Sequence, residues 1–213
     1  MSEQFSILID SRTRFETSEP GGVWLSMPTT KEQLHEAMQR VGITADNPQD
    51  FLINGFMNTE QQPFDVPLPV IQSAGLDELN YLGNLLSMQR DEDRNKFTAA
   101  VTLGERAGNI KDLINLAQNL DCYWLYPTVH NSDDYGHYLI DDLDELELPD
   151  AAKRFFDYKS YGREAVKEDR GIFTDYGYVY NNGNDYAEWY KASQVPQEYC
   201  LTAQPSPQRD MDE

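Results

Sequence analysis

Positive charge is what this chain has least of: 17 Lys and Arg stand against 37 Asp and Glu, a net charge of −20 over 213 residues. A field of that sign repels duplex DNA, RNA and anionic membranes and attracts basic surfaces, so direct nucleic-acid binding is not expected. Cysteine is scarce as well. Cys122 and Cys200 lie far apart with no CxxC or zinc-ligand spacing, which points to reduced thiols, with Cys122 in a buried strand. No apolar run approaches the ~20 residues of a membrane span. The opening MSEQFSILID lacks the basic-then-apolar pattern of a secretion signal, so a cytoplasmic protein without membrane contact is expected. Recognisable catalytic motifs are missing too: there is no phosphate-binding glycine loop, no nucleophile elbow, no HExxH and no dinucleotide fingerprint. The reading is therefore of a protein that is not an enzyme and uses no cofactor.

What is present is enough apolar residue to fold, 39% hydrophobic with 12% aromatic, and acid concentrated toward one end. Residues 1–62 hold 9 acids and 4 bases, residues 63–120 hold 8 and 5, and residues 121–213 hold 20 and 8, so the last segment carries −12 of the −20. The densest stretch, Asp133 to Asp150 (DDYGHYLIDDLDELELPD), has eight acids and no Lys or Arg. Its apolar positions Tyr135, Tyr138, Leu139, Leu143 and Leu146 recur at helical spacing, which predicts one helix with a buried face and its carboxylates turned outward. Like charges three and four apart weaken such a helix by a few tenths of a kcal/mol per pair.

The pattern elsewhere is α+β. Strands are expected over Phe5–Asp10, Val23–Met27 and Phe51–Phe56, with a polar loop reaching Gly21-Gly22 between the first two. Thr30 with Gln33 makes a capping box ahead of a helix whose stripe is Leu34, Ala37, Met38 and Val41, ending at Gly42. Glu60–Pro69, with three prolines, is the expected linker. Helical spacing then runs through Leu76–Leu86, Phe97–Leu103 and, after Gly108-Asn109, Ile110–Leu120, a small bundle. Cys122–Val129 reads as a strand that Pro127 ends or places at an edge. Pro149 permits a new helix start, and GIFTDYGYVY reads as a hairpin. This gives an N-terminal α+β unit over 1–62, a central helical unit over 63–120, an acidic α+β unit over 121–192 and a disordered tail over 193–213.

Three functional readings compete. His130, Asp133, Asp134 and His137 have the chemistry of a metal shell, and Asp141, Asp142 and Glu145 that of paired carboxylates for acid–base work. The many tyrosines of the last third suit base stacking, yet the charge around them opposes a polyanion, and tyrosine mixed with carboxylate suits a protein interface. An acidic adaptor for a basic, nucleic-acid-associated protein fits the composition. So does a mimic of DNA itself. Duplex carries one negative charge per ~1.7 Å of axis, and carboxylates ~5–6 Å apart on a helix face present a comparable array to side chains suited to phosphates.

Particular residues single out the last reading. Gly136–Asp142 (GHYLIDD) resembles the LGRYYIEE-like motif of the ArdA-type antirestriction proteins carried by conjugative plasmids and transposons, and Phe156–Glu164 (FDYKSYGRE) resembles their YGRD-like segment. Gly171-Ile172-Phe173 is similar to their short terminal strand, and weaker similarity runs through Gly22-Val23-Trp24 with Pro28, Pro63-Phe64 and Leu76–Leu79, so that residues 4–182 are covered. The chain departs from the pattern at His137, in the acidic insertion Leu143–Leu148 and in its tail beyond Asn182.

The resemblance implies an elongated α+β chain of three small domains. It implies a homodimer joined through its C-terminal domains, whose acidic surface imitates duplex DNA and fills the DNA-binding groove of Type I restriction-modification enzymes in a bacterial host, protecting incoming mobile DNA. The residues expected on the target-binding surface are Asp133, Asp134, Asp141, Asp142, Asp144, Glu145, Glu147, Asp150, Asp157 and Glu164. Those expected at the dimer interface or in the adjacent core are Tyr135, Tyr138, Leu139, Phe156 and Tyr161.

Overall fold

A computed structural model describes residues 2–17, 19, 21–44, 46–58, 66–192 and 194–201. The first strand, β1 (Phe5–Ser11), is central in an antiparallel sheet of order β2-β1-β3, flanked by β2 (Val23–Met27) and β3 (Phe51–Asn58). Phe5, Ile7 and Ile9 alternate along β1 onto one buried face. Between β1 and β2 the expected polar loop is instead a short helix, α1 (Arg12–Glu16). Its cause lies elsewhere in the chain: Ser11 Oγ and Thr13 Oγ1 donate to the Asp50 carboxylate at 2.8 and 2.9 Å, and Ser11 Oγ accepts from the Arg14 backbone nitrogen.

Helix α2 (Lys31–Arg40) starts at the expected capping box, with Gln33 N donating to Thr30 Oγ1 and Thr30 N to Gln33 Oε1. Of the expected linker, residues 60–65 lie outside the described residues, while Leu68 and Pro69 open α3 (Leu68–Gln72). Proline is tolerated there because a first-turn N–H has no helical acceptor. Helices α4 (Leu76–Met88), α5 (Asp91–Leu103) and α6 (Ile110–Ala117) follow at the expected apolar segments, α5 starting six residues before Phe97 and α6 ending three before Leu120. Gly83 on α4 touches the β2–α2 turn so closely that a Cβ there would lie 2.9 Å from the Pro28 nitrogen. One apolar cluster consequently runs from Phe5 through the central helices, so the first two units share a core.

A second, smaller cluster gathers Val129, Tyr135, Leu139 and Tyr178, while Cys122, Tyr123 and Tyr190 of the expected last unit pack into the first. The second sheet has the order β4-β6-β5, all antiparallel, from β4 (Tyr123–Tyr126), β5 (Ile172–Thr174) and β6 (Gly177–Asn181). β4 is an edge strand that stops before Pro127. The helices of this part are α7 (Ser132–His137), α8 (Asp150–Lys153) and α9 (Tyr158–Asp169), with α7 packed against α9.

The tail expected to be disordered from residue 193 is corrected over 194–201. Val195, Cys200 and Leu201 are buried, and Asn80 Nδ2 donates to the Tyr199 carbonyl at 2.9 Å. Upstream, Asn115 clasps both backbone groups of Tyr190 at 2.8 and 2.9 Å, and Asn119 clasps both of Ala187 at 2.9 and 3.0 Å. The two asparagines stand four apart on and just beyond α6, one above the other. They satisfy the backbone of a strap that has no sheet partner. Residues 202–213 lie outside the described residues.

Candidate functional site

Two helices that meet through glycine, α7 and α9, carry or are capped by four of the ten expected acids, Asp133, Asp134, Asp157 and Glu164. A Cβ on Gly162 of α9 would lie 2.6 Å from the Gly136 nitrogen of α7, and one on Gly136 would lie 2.6 Å from the Tyr158 carbonyl carbon. Both motif segments, GHYLIDD and FDYKSYGRE, thus meet at one backbone contact that any side chain would prise open. Each helix is capped locally. Asn131 Oδ1 accepts from the backbone of Asp133 and Asp134 at 2.9 and 3.0 Å, and Asp157 Oδ1 accepts from Ser160 N at 3.0 Å.

Beneath the crossing is a core made largely of tyrosine. Tyr135 packs tilted against Tyr178 with ring centroids 4.3 Å apart, and Tyr126 against Tyr138 at 4.5 Å. Tyr135 and Tyr178 donate to the same Asp169 oxygen at 2.5 and 3.3 Å. Burial, and for Tyr135 and Tyr178 the nearby carboxylate, raises these phenols above their ordinary value, so they stay protonated donors.

The single acidic helix expected over 133–150 is corrected. After α7 the chain makes a wide π turn over Tyr138–Asp142, with Leu143 N donating to the Tyr138 carbonyl at 3.0 Å. That turn buries Leu139 and Ile140 and leaves Asp141 and Asp142 outside. Asp144 then adopts φ +51°, and the helix is over. Leu143 and Leu146 are 48% and 40% exposed, so the helical spacing that predicted their burial does not operate there. The acids of 144–150 ride on a loop and the start of α8.

The ten expected surface acids fall into two groups, nine exposed and Asp134 half-buried. Five are committed within the unit. Asp134 accepts from His130 N and Asn131 Nδ2, Asp157 caps α9, Glu145 accepts from Tyr161 OH at 2.9 Å, and Glu164 pairs with Lys167 at 2.8 Å. Asp141 is a hub: Lys153 Nζ lies 2.9 Å away, His137 Nδ1 2.8 Å and Tyr158 OH 3.3 Å. The Lys153 ammonium, and then His137, hold the Asp141 carboxyl below its ordinary value. Asp133, Asp142, Asp144, Glu147 and Asp150 make no side-chain hydrogen bond or ion pair among the described residues.

Of the expected interface or core residues, Tyr135 and Leu139 are buried within the unit. Tyr138, Phe156 and Tyr161 are half-buried, with Phe156 set against Tyr158 and Tyr161 at 5.1 and 5.6 Å. Three features escaped the sequence: the Gly136–Gly162 crossing, the Lys153 and Tyr158 contacts to Asp141, and Phe155, 80% exposed beside Arg154. Glycines inside two facing helical patterns were the signal available for the first.

Among the described residues no three His, Cys, Asp or Glu side chains converge on a metal-sized position, and Asp134 takes the His130 backbone N–H. A general acid near neutral pH needs a raised carboxyl value, and Asp141 is shifted the other way. No helix among the described residues is long and apolar enough to cross a membrane. No curated protein matches the chain. The antirestriction protein (ArdA) family matches residues 9–180, which take in the glycine-clasped helix pair and the acidic face, and the chain belongs to that family.

Proposed function

We propose that this antirestriction protein is not an enzyme but a DNA mimic: it occupies the DNA-binding groove of a Type I restriction-modification enzyme in the bacterial cytoplasm and thereby shields incoming mobile DNA. The observation that carries the reading is the group of five exposed, uncommitted carboxylates, Asp133, Asp142, Asp144, Glu147 and Asp150. Asp133 stands on α7 of the helix pair clasped through Gly136 and Gly162, Asp142 ends the π turn that follows it, and Asp144, Glu147 and Asp150 ride on the loop and the start of α8. Carboxylates without partners in their own chain are free to meet the Lys and Arg that line a duplex groove, and they steer encounter through a −20 field. A mimic needs charge at set spacing on a rigid body, and no reactive group.

The homodimer belongs to the same proposal. Two copies joined through the C-terminal units double the array, and Tyr138, Phe156 and Tyr161, half-buried in one protomer, are the available anchors. The test is competition. Labelled duplex bound to a purified Type I enzyme should be displaced by the protein at every salt concentration that permits binding, and light scattering should report twice 24.5 kDa. A ternary complex of enzyme, duplex and protein would sink the mimic and leave an acidic adaptor.

A further inference from the structure

Six of the eight bases in residues 121–213 fall between Lys153 and Arg170, and three of them make a stripe. Lys159, Arg163 and Lys167 stand at successive four-residue steps on α9, all exposed, over about 12 Å at ~1.5 Å per residue. Gly162 faces α7, and the next residue is turned about 100° from it, so the stripe lies along the flank of the crossing rather than within it. Of the many acids nearby, one, Glu164, pairs with the stripe among the described residues, and it is shared by two of the three cations. Lys167 and, at 3.8 Å, Arg163 share Glu164, whereas Lys159 and Arg170 have no ion pair among the described residues. Four residues before the stripe, Phe155 is 80% exposed with the Arg154 guanidinium 5.0 Å over its ring, the aromatic-with-arginine composition of a protein-binding anchor.

Resting on the DNA-mimic reading, we propose that this flank is a specificity surface, and that it docks an acidic protein patch of the target enzyme beside the groove filled by the carboxylates. A continuous polyanion is a poor occupant, because it would have to run past Glu164, Glu168 and the acidic loop. A protein surface that is basic within its groove and acidic at the rim complements both parts at once. DNA has no positive group to offer that rim, so the contact gives the inhibitor a hold that the duplex cannot match.

The experiment reverses the stripe in the full chain: Lys159→Glu, Arg163→Glu and Lys167→Glu together. The change takes the net charge from −20 to −26, two units for each of three residues. Attraction by negative charge alone then requires equal or tighter binding. The proposal requires the opposite, a loss of roughly tenfold or more in competition against duplex on the purified enzyme. The neutral triple variant with Gln should lose less, and Phe155→Ala should weaken binding with no change in its salt dependence. Circular dichroism checks folding, which the exposed positions should leave intact.

Equal or improved competition by the reversed variant would overturn the proposal. So would a loss that light scattering traces to dissociation of the dimer, or a low-salt gel shift of naked duplex that vanishes with the stripe. If the parent protein itself fails to exclude duplex, the mimic reading falls instead, so the two failures are distinguishable.

Discussion

If the acidic face acts by distributed charge, the two groups of carboxylates should separate cleanly on mutation. The perturbation is a set of five changes, Asp133→Asn, Asp142→Asn, Asp144→Asn, Glu147→Gln and Asp150→Asn, singly and together. None of these groups holds anything in its own chain among the described residues, so the fold should be untouched or slightly relieved of repulsion. In the complex each meets a cation at a solvated rim, worth about 0.2–1 kcal/mol. Singly, each change should therefore alter affinity by less than about fivefold, while five together remove ~1–5 kcal/mol, roughly fivefold to a few thousandfold. The assay is displacement of labelled duplex from the purified enzyme at two salt concentrations, with a urea melt on every variant. The combined variant should also show a shallower salt dependence, because screening acts on the charges it lacks. Asp141→Asn serves as the contrast, since it releases Lys153, His137 and Tyr158 and should register in the melt before it registers in binding. The reasoning fails if one of the five single changes abolishes displacement in a folded protein, or if the combined variant displaces duplex as well as the parent.

Gly162→Ala drives a methyl into the backbone of α7 and should destabilise by about 2–4 kcal/mol in spite of alanine's better helix propensity; a urea midpoint within error of the parent would refute the clasp. Asn115→Ala leaves the Tyr190 N–H and carbonyl without partners, which should cost about 1–3 kcal/mol and speed amide exchange at Tyr190 selectively. Asp50, Asp141 and Asp157 are held below the ordinary carboxylate value, chiefly by hydrogen bonds from Ser11, Lys153 and the Ser160 backbone respectively. A depressed carboxylate adds stability that is present above its unfolded value and is lost as pH falls through the folded one. The urea midpoint should therefore drop below about pH 4, and Asp50→Asn should flatten that limb; an unchanged limb in the variant would rule out this source.

How much of this was legible in the sequence depended on the range of the interactions. The α2 capping box at Thr30 and Gln33, the helices at Leu76, Phe97 and Ile110, and the hairpin of β5 and β6 are written in contacts a few residues apart, and each stands where its pattern put it. Helix α1 was not legible because its cap is secured by Asp50, 39 residues from Ser11. The strap was not legible because its backbone partners, Asn115 and Asn119, lie 75 and 68 residues upstream of Tyr190 and Ala187 and look like ordinary helix surface. On the candidate site, the inventory of acids was readable and their division was not. The one local difference between Asp141 and its neighbour Asp142 is His137, four residues before Asp141; the Lys153 and Tyr158 contacts come from 12 and 17 residues further on, and Asp142 makes no such contact among the described residues.

The construction of the C-terminal unit explains how so small a body can hold so much like charge in place. Its cluster has only four buried apolar side chains, two of them tyrosines, so apolar burial alone gives a modest core. Tyrosine adds ring area and a hydroxyl, and the hydroxyls of Tyr135 and Tyr178 converge on the half-buried Asp169, which ties α9 to α7 and β6. Glycine does the complementary work by letting the two helix backbones touch, which shortens the lever between the core and the outer acids. A flexible acidic chain of the same composition would carry the same net charge, but it would lose conformational entropy on ordering against a target. On the clasped pair much of that ordering is already done in the folded state, and more of each weak ion pair remains as affinity. Rigidity at Gly136 and Gly162 and charge at Asp133 and Asp142 are in this sense one device, which is why the two motif segments that carry the family resemblance are also the two that touch.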